Sequence, residues 1–160
     1  MTDTLLGTYD SRLATAEAAY LRLISIDEAY CDALSSYVLR GAIQNPGRYL
    51  EALLSEHEVK ATSNWRERQD SMTTFHGVRL TDCPVWGDVQ TGTQIRNAVA
   101  HGLGTLTPRQ RAKIRYHRES FAALDVQMAG IRVIVTFDAV LRCATYSKQF
   151  VAWLDDAVPD

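Results

Sequence analysis

The sequence has few cysteines and no long apolar run. Its three cysteines, Cys31, Cys83 and Cys143, are odd in number, far apart and without a C-x-x-C pair. This pattern argues against a disulfide framework or a zinc site, and it indicates reduced thiols in a cytoplasm. No apolar run approaches membrane length, and the first residues lack the charged and apolar regions of a signal peptide. We therefore expect a cytoplasmic protein without a membrane partner.

The sequence also lacks a large excess of either charge. Lys and Arg number 17 against 19 Asp and Glu, so a net charge of −2 gives no overall signal for nucleic acid. No group of His, Cys, Asp or Glu has the spacing of metal ligands, and we expect no metal or other cofactor. With 160 residues, 46% hydrophobic and without an internal repeat, the chain predicts a single domain, residues 1–160, with a core of its own.

Most of the chain has the periodicity of amphipathic helices. Apolar residues recur at steps of three and four from about residue 9 to 43, where proline is absent, and this predicts a long first helix. The same steps place Asp27 on the inner face, where a carboxylate needs a partner. Later helices are predicted at about residues 46–60, 65–75, 88–101 and 137–157, with a short helix after Pro108. We expect Asn45 to cap the second helix and Thr136 to cap the last one. The run Thr62-Ser63-Asn64 is expected to cap the third, and Thr107-Pro108 to start the short helix.

Two short alternating segments precede the last helix. Residues 124–128 and 131–135 flank Ala129-Gly130 and are rich in β-branched residues, which predicts a small hairpin. The predicted fold class is therefore all-α, a helical bundle with a long first helix and a small β-hairpin insert before the last helix.

The segment Thr93–Gly104 carries the candidate chemistry. It predicts the end of a helix, with Gly102 at the left-handed position of the C-cap and Leu103 extending the apolar stripe. Arg96, Asn97 and His101 interrupt that stripe.

Two of these polar residues share a helical face. Asn97 and His101 are four residues apart, so their side chains can meet. Arg96 lies five residues before His101, roughly 140° around the helix. Arg96 can join the others through its long side chain, through the helix ending near His101, or by facing a second copy of the helix.

The three side chains suit reactions at a phosphate. Histidine transfers protons near neutral pH, and arginine presents a forked cation that matches phosphate oxygens. Asn97 could hold the imidazole in one tautomer. A structural alternative is a histidine that caps a helix beside an arginine in a surface ion pair.

The run Arg96-Asn97-Ala98-Val99-Ala100-His101, with Ile95 before it and Gly102 after it, resembles the R-x4-H motif of the HEPN superfamily. The extended pattern is similar to the RiboL-PSP or MAE-like group of prokaryotic HEPN proteins. The resemblance implies a helical bundle and a metal-independent endoribonuclease that leaves 2′,3′-cyclic phosphate ends. It also implies a homodimer with a composite active site, in which Arg96 of one chain serves His101 of the other.

The resemblance further implies a toxin or a defence effector against phage or stress, restrained by an antitoxin or regulatory protein. In some HEPN toxins a tyrosine two residues after the motif histidine is modified, and here that position is Leu103. Control by such a modification is therefore not expected unless Tyr116 substitutes for it.

A basic segment follows the motif. Residues 89–118 contain six Lys or Arg and no Asp or Glu, whereas the other 130 residues contain 11 Lys or Arg and 19 Asp or Glu. This local excess is typical of a surface for a phosphate-rich partner such as RNA. The alternative is a solvated basic helix. The candidate RNA-binding residues are Arg109, Arg111, Lys113, Arg115 and Arg118.

Two other functions are compatible with the sequence. A non-catalytic HEPN-like module would dimerise and bind RNA or a protein without depending on His101. A plain helical scaffold would leave the acid-free basic segment unexplained.

Overall fold

The computed structural model describes residues 2–4, 7–43 and 45–158, and most of them are helical. Within these ranges the helices are α1 Ser11–Ala42, α2 Arg48–Ala61, α3 Trp65–His76, α4 Trp86–His101, α5 Pro108–Arg111, α6 Ile114–Ala122 and α7 Phe137–Ala157. Two antiparallel hairpins pair β1 Thr2–Thr4 with β2 Gly7–Tyr9, and β3 Gln127–Ala129 with β4 Arg132–Ile134. The all-α class, the long first helix and the hairpin before the last helix are confirmed. The β1–β2 hairpin was not predicted.

Three of the expected helix starts are capped by a side chain. The Asn64 side chain accepts hydrogen bonds from two backbone amides of the first turn of α3. Thr107 forms a capping box with Gln110 at the start of α5. The Thr136 hydroxyl accepts from the Ala139 amide at 3.1 Å, at the start of α7. These local signals begin the helices where the sequence predicted.

The prediction for Asn45 is wrong. The N-cap of α2 is Gly47, and no side chain caps it. Asn45 instead has a φ of 51°, a left-handed conformation that asparagine tolerates better than most residues. The following Pro46 disfavours the right-handed helical conformation at Asn45, so this residue turns the chain and α2 begins at Arg48.

The chain divides into two compact units. The first contains the residues up to Ile26 and Gly87–Lys148, and the second contains Asp27–Trp86 and the residues from Gln149 onward. That both belong to one domain stays a prediction. In the first unit the side chains of Tyr20 and Tyr146 are buried, and their hydroxyls lie 3.1 Å apart.

The second unit has an aromatic core and a partly buried ion pair. The Trp65 ring packs edge-on against Trp86 and Phe150, with centroids 5.4 and 5.9 Å apart. Arg68 is 8% exposed and donates two hydrogen bonds of 2.8 Å to the carboxylate of Asp32. Asp27 is fully buried, as its place in the α1 pattern predicted.

None of the helices in the described ranges has the length and hydropathy needed to cross a membrane. Cys31, Cys83 and Cys143 are all buried, and none of the three forms a disulfide within the described residues.

Candidate active site

Helix α4 ends at His101 in a Schellman-type turn. The Gly104 amide donates to the Val99 carbonyl at 3.2 Å, and Leu103 has a φ of 50°. Leu103 therefore occupies the left-handed position that follows the C-cap, where glycine is the usual residue. The prediction that Gly102 has this conformation is wrong, and so is the prediction of Leu103 as a core residue, because its side chain is 91% exposed.

Gly102 is needed for a different reason. A Cβ atom on this residue would overlap the carbonyl oxygens of Thr105 and Ala98. The Gly102 carbonyl in turn accepts from the Thr105 amide and hydroxyl, at 3.0 and 2.8 Å. Glycine thus lets the chain fold back tightly behind His101.

The β3–β4 hairpin holds the segment that follows the motif. The Leu106 amide donates to the Ile131 carbonyl at 2.8 Å, and the Val133 amide donates to the Gly104 carbonyl at 2.9 Å. These bonds add residues 104–106 to the edge of the hairpin. The position of His101 at the end of α4 is therefore supported by backbone pairing on its C-terminal side.

Gln110 fastens α5 to α4. Its side chain is 4% exposed, and its Nε2 donates to the Gln94 carbonyl at 2.8 Å. Its Oε1 accepts from the Thr107 amide at 3.0 Å. One buried amide thus closes the capping box of α5 and holds α5 against the motif helix.

A polar groove of about 650 Å³ lies in the first unit beside these elements. Asn97 and His101 both line it, as expected for residues four apart on one helical face. No carboxylate is among the described residues that line the groove. The lining side chains with polar groups are Gln90, Thr91, Gln94, Asn97, His101, Thr107, Arg109, Gln110, Lys113, Tyr116, His117 and Ser120.

Arg96 does not line this groove. Its Nη1 donates to Oδ1 of Asn97 at 3.3 Å. No hydrogen bond joins Asn97 to His101 in the described part of the chain, so orientation of His101 by Asn97 stays a prediction. The divergence of Arg96 from His101 agrees with their five-residue spacing.

The five basic residues after the motif take different positions. Arg109 and Lys113 line the groove. Arg111 uses its Nε to donate to the Leu106 carbonyl at 2.9 Å, which supports the turn after α4. Arg115 and Arg118 are exposed on α6 and are not among the groove residues. The basic segment therefore supplies two cations to the groove, and its role in binding RNA stays a prediction.

His117 also belongs to the groove, although the sequence did not single it out. Its side chain is 6% exposed, and its ring packs near Tyr116 and Phe121. Burial, and secondarily the positive charge of Lys113, lower the pKa of His117 below the usual range for histidine. The sequence shows that His117 lies within the basic segment. It does not show that the ring is buried, because burial depends on tertiary packing.

The second unit contains a cavity of about 380 Å³ lined by Cys31, His57 and Arg68. Burial raises the pKa of the Cys31 thiol to about 12, so this sulfur is not a ready nucleophile. His57 is hydrogen-bonded to Ser71 at 3.1 Å, and Arg68 is committed to Asp32. The groove of the first unit therefore has the more available reactive groups.

Comparison of the chain with family models, curated proteins and solved structures found no match. No group of three or more His, Cys, Asp or Glu in the described ranges has a geometry that could hold a metal ion.

Proposed function

We propose that this chain is a HEPN-type, metal-independent endoribonuclease of the cytoplasm. The observation that carries the proposal is the shared groove, in which the motif histidine His101 faces the same space as Arg109 and Lys113. Two cations can stabilise negative charge on a phosphodiester bound in the groove, and the imidazole can transfer a proton. The absence of a lining carboxylate, within the described residues, favours an anionic substrate.

The reaction we propose is an internal transfer. The 2′-oxygen of a ribose attacks the adjacent phosphorus, a proton leaves the 2′-hydroxyl, and the 5′-oxygen departs with a proton. His101 serves one of these proton transfers, and Arg96 and Asn97 assist at the phosphate. The products are a 2′,3′-cyclic phosphate and a free 5′-hydroxyl. The biological role that fits this reaction is a toxin or defence effector restrained by a protein partner.

Arg96 enters the site in this proposal from a second chain. In one chain it is hydrogen-bonded to Asn97 and does not line the groove. A two-fold dimer with facing α4 helices would bring the partner's copy of this arginine to the groove.

The test is cleavage of cellular RNA in EDTA by the wild type, His101→Ala and His57→Ala. His57 is a histidine of the second unit that does not line the groove, so it controls for loss of any histidine. We expect His101→Ala to lower the rate by about 10²–10⁴-fold, as for loss of an acid–base group. End-group analysis should find cyclic phosphate. Equal rates in His101→Ala and wild type would remove the mechanism.

The Arg96–Asn97 hydrogen bond also favours a second candidate, a dimeric HEPN-like module that binds RNA or protein without cleaving. In that case Arg96 shapes a surface and His101 is dispensable. RNA binding by the wild type without cleavage, in EDTA or in magnesium and after release from any partner, would support this candidate over the ribonuclease.

A further inference from the structure

His117 is buried in the wall of the groove without a full set of hydrogen bonds. Its Nδ1 is shielded from solvent and has no hydrogen-bond partner among the described residues. Leaving a buried polar atom without a partner is unfavourable, so a buried imidazole of this kind in the wall of a groove points to a functional role for the ring. Because the ring lines the groove and Nδ1 is enclosed, Nε2 is the nitrogen that can reach a bound molecule.

The residues that line the groove with His117 are basic or neutral. The titratable and charged residues that line the groove with it are His101, Arg109, Lys113 and Tyr116. His101 ends α4, whereas His117 lies in α6, so the two imidazoles come from different walls of one groove. Two such groups with a pair of cations are the complement needed for in-line transfer at a phosphodiester.

We infer that His117 is the general base of this groove and His101 its general acid. This inference rests on the proposed ribonuclease function. Nε2 of His117 takes the proton of the 2′-hydroxyl as the bond from the 2′-oxygen to phosphorus forms. His101 gives a proton to the 5′-oxygen as its bond to phosphorus breaks. Arg109 and Lys113 hold the phosphate oxygens, so atoms and charge balance without a further reactant.

The electrostatic setting agrees with this division of roles. Burial and Lys113 lower the pKa of His117, so its ring is neutral at pH 7 and free to accept a proton. His101 is exposed at the end of α4, where its ring is open to solvent and to a bound substrate.

The test uses RNA oligonucleotides that carry sulfur in place of the 5′-bridging oxygen. A thiolate leaves without being protonated, so this substrate bypasses a missing acid but not a missing base. We expect His101→Ala to lose about 10²–10⁴-fold on ordinary RNA and to recover most of that rate on the sulfur substrate. His117→Gln should lose about 10²–10⁴-fold on both substrates. His57→Gln is the matched control and should cleave both at the wild-type rate.

Recovery of His117→Gln on the sulfur substrate, or wild-type rates on both, would overturn the inference while leaving the ribonuclease intact. Failure of the wild type to cleave either substrate would overturn the proposed function and the inference together.

Should His117→Gln not fold, the pH dependence of cleavage by the wild type tests the role of His117 instead. On the sulfur substrate its pH–rate profile should keep a single acidic limb, and that limb should match the ring titration of His117 followed by NMR. A mismatch would assign the base to another group.

Discussion

Leu103 is held in a backbone conformation that is costly for a residue with a Cβ atom. Its φ is 50° and its side chain is 91% exposed, so packing offsets little of the strain. A left-handed conformation costs an ordinary residue roughly 1–2 kcal/mol. Strain of this kind is common near functional sites, and Leu103 lies two residues after His101.

We predict that Leu103→Gly raises the free energy of unfolding by about 1 kcal/mol, because glycine adopts this conformation without a steric penalty. Urea unfolding at pH 7 measures the change. Leu103→Ala is the matched control, since it removes the same apolar surface but keeps a Cβ atom, and it should give no gain. A gain of equal size in both variants would attribute the effect to the exposed side chain instead of the backbone.

The end of α4 shows what a sequence can place at the scale of single residues. Gly102 and Gly104 both follow His101, and glycine preference predicts a helix end here but not which residue turns left-handed. The answer depends on the close approach of the Thr105 carbonyl to Gly102, a contact made only after the chain has turned. The burial of His117 is likewise invisible in the sequence, because it requires α6 to be packed in place.

At the scale of elements, α4 packs closely against its neighbours in the first unit at Gly92. A Cβ atom there would overlap the hydroxyl of Tyr146 and approach Cδ1 of Ile24 to 2.8 Å. Tyr146 and Ile24 are themselves buried, so neither can move away easily. Glycine thus sets the distance between the motif helix and the residues behind it.

We predict that Gly92→Ala lowers the free energy of unfolding by about 1–3 kcal/mol through overpacking. Gly87→Ala, on the same helix, is the control, since nothing lies within 4 Å of its added Cβ, and it should cause no loss. Tyr146→Phe removes the overlapping oxygen, so the double variant should be less destabilised than the sum of the singles. Strict additivity of the two changes would contradict this explanation.

Helix starts were more predictable than the contacts between helices. Thr107 and Gln110 form their capping box within four residues, so local sequence was sufficient. The prediction for Asn45 was wrong because Asn45 lies in a turn before Pro46, and α2 begins only after Gly47. The bond from Gln110 to the Gln94 carbonyl spans 16 residues. No local pattern indicates it, although it decides how α5 meets the motif helix.

At the scale of the whole molecule, the salt dependence of RNA binding measures how many basic residues contact phosphates. Each phosphate contact contributes roughly 0.7 to the slope of log affinity on log salt for single strands, so Arg109→Gln with Lys113→Gln should lower it by about 1.4. Arg142→Gln with Lys148→Gln removes the same charge from exposed positions of α7 and is the control. Equal effects of the two pairs would indicate attraction by net charge instead of contacts in the groove.

The proposed two-fold dimer can be tested by combining inactive chains. If Arg96 of one chain serves His101 of the other, a heterodimer of Arg96→Ala and His101→Ala chains contains one intact site. Random exchange of subunits should then restore about a quarter of the wild-type activity. His101 and His117 line the same groove of one chain, so mixing His101→Ala with His117→Gln should restore none. Sedimentation should find dimers in every sample. Restoration by neither mixture, with dimers present and exchange verified, would place Arg96 and His101 in the same site of one chain.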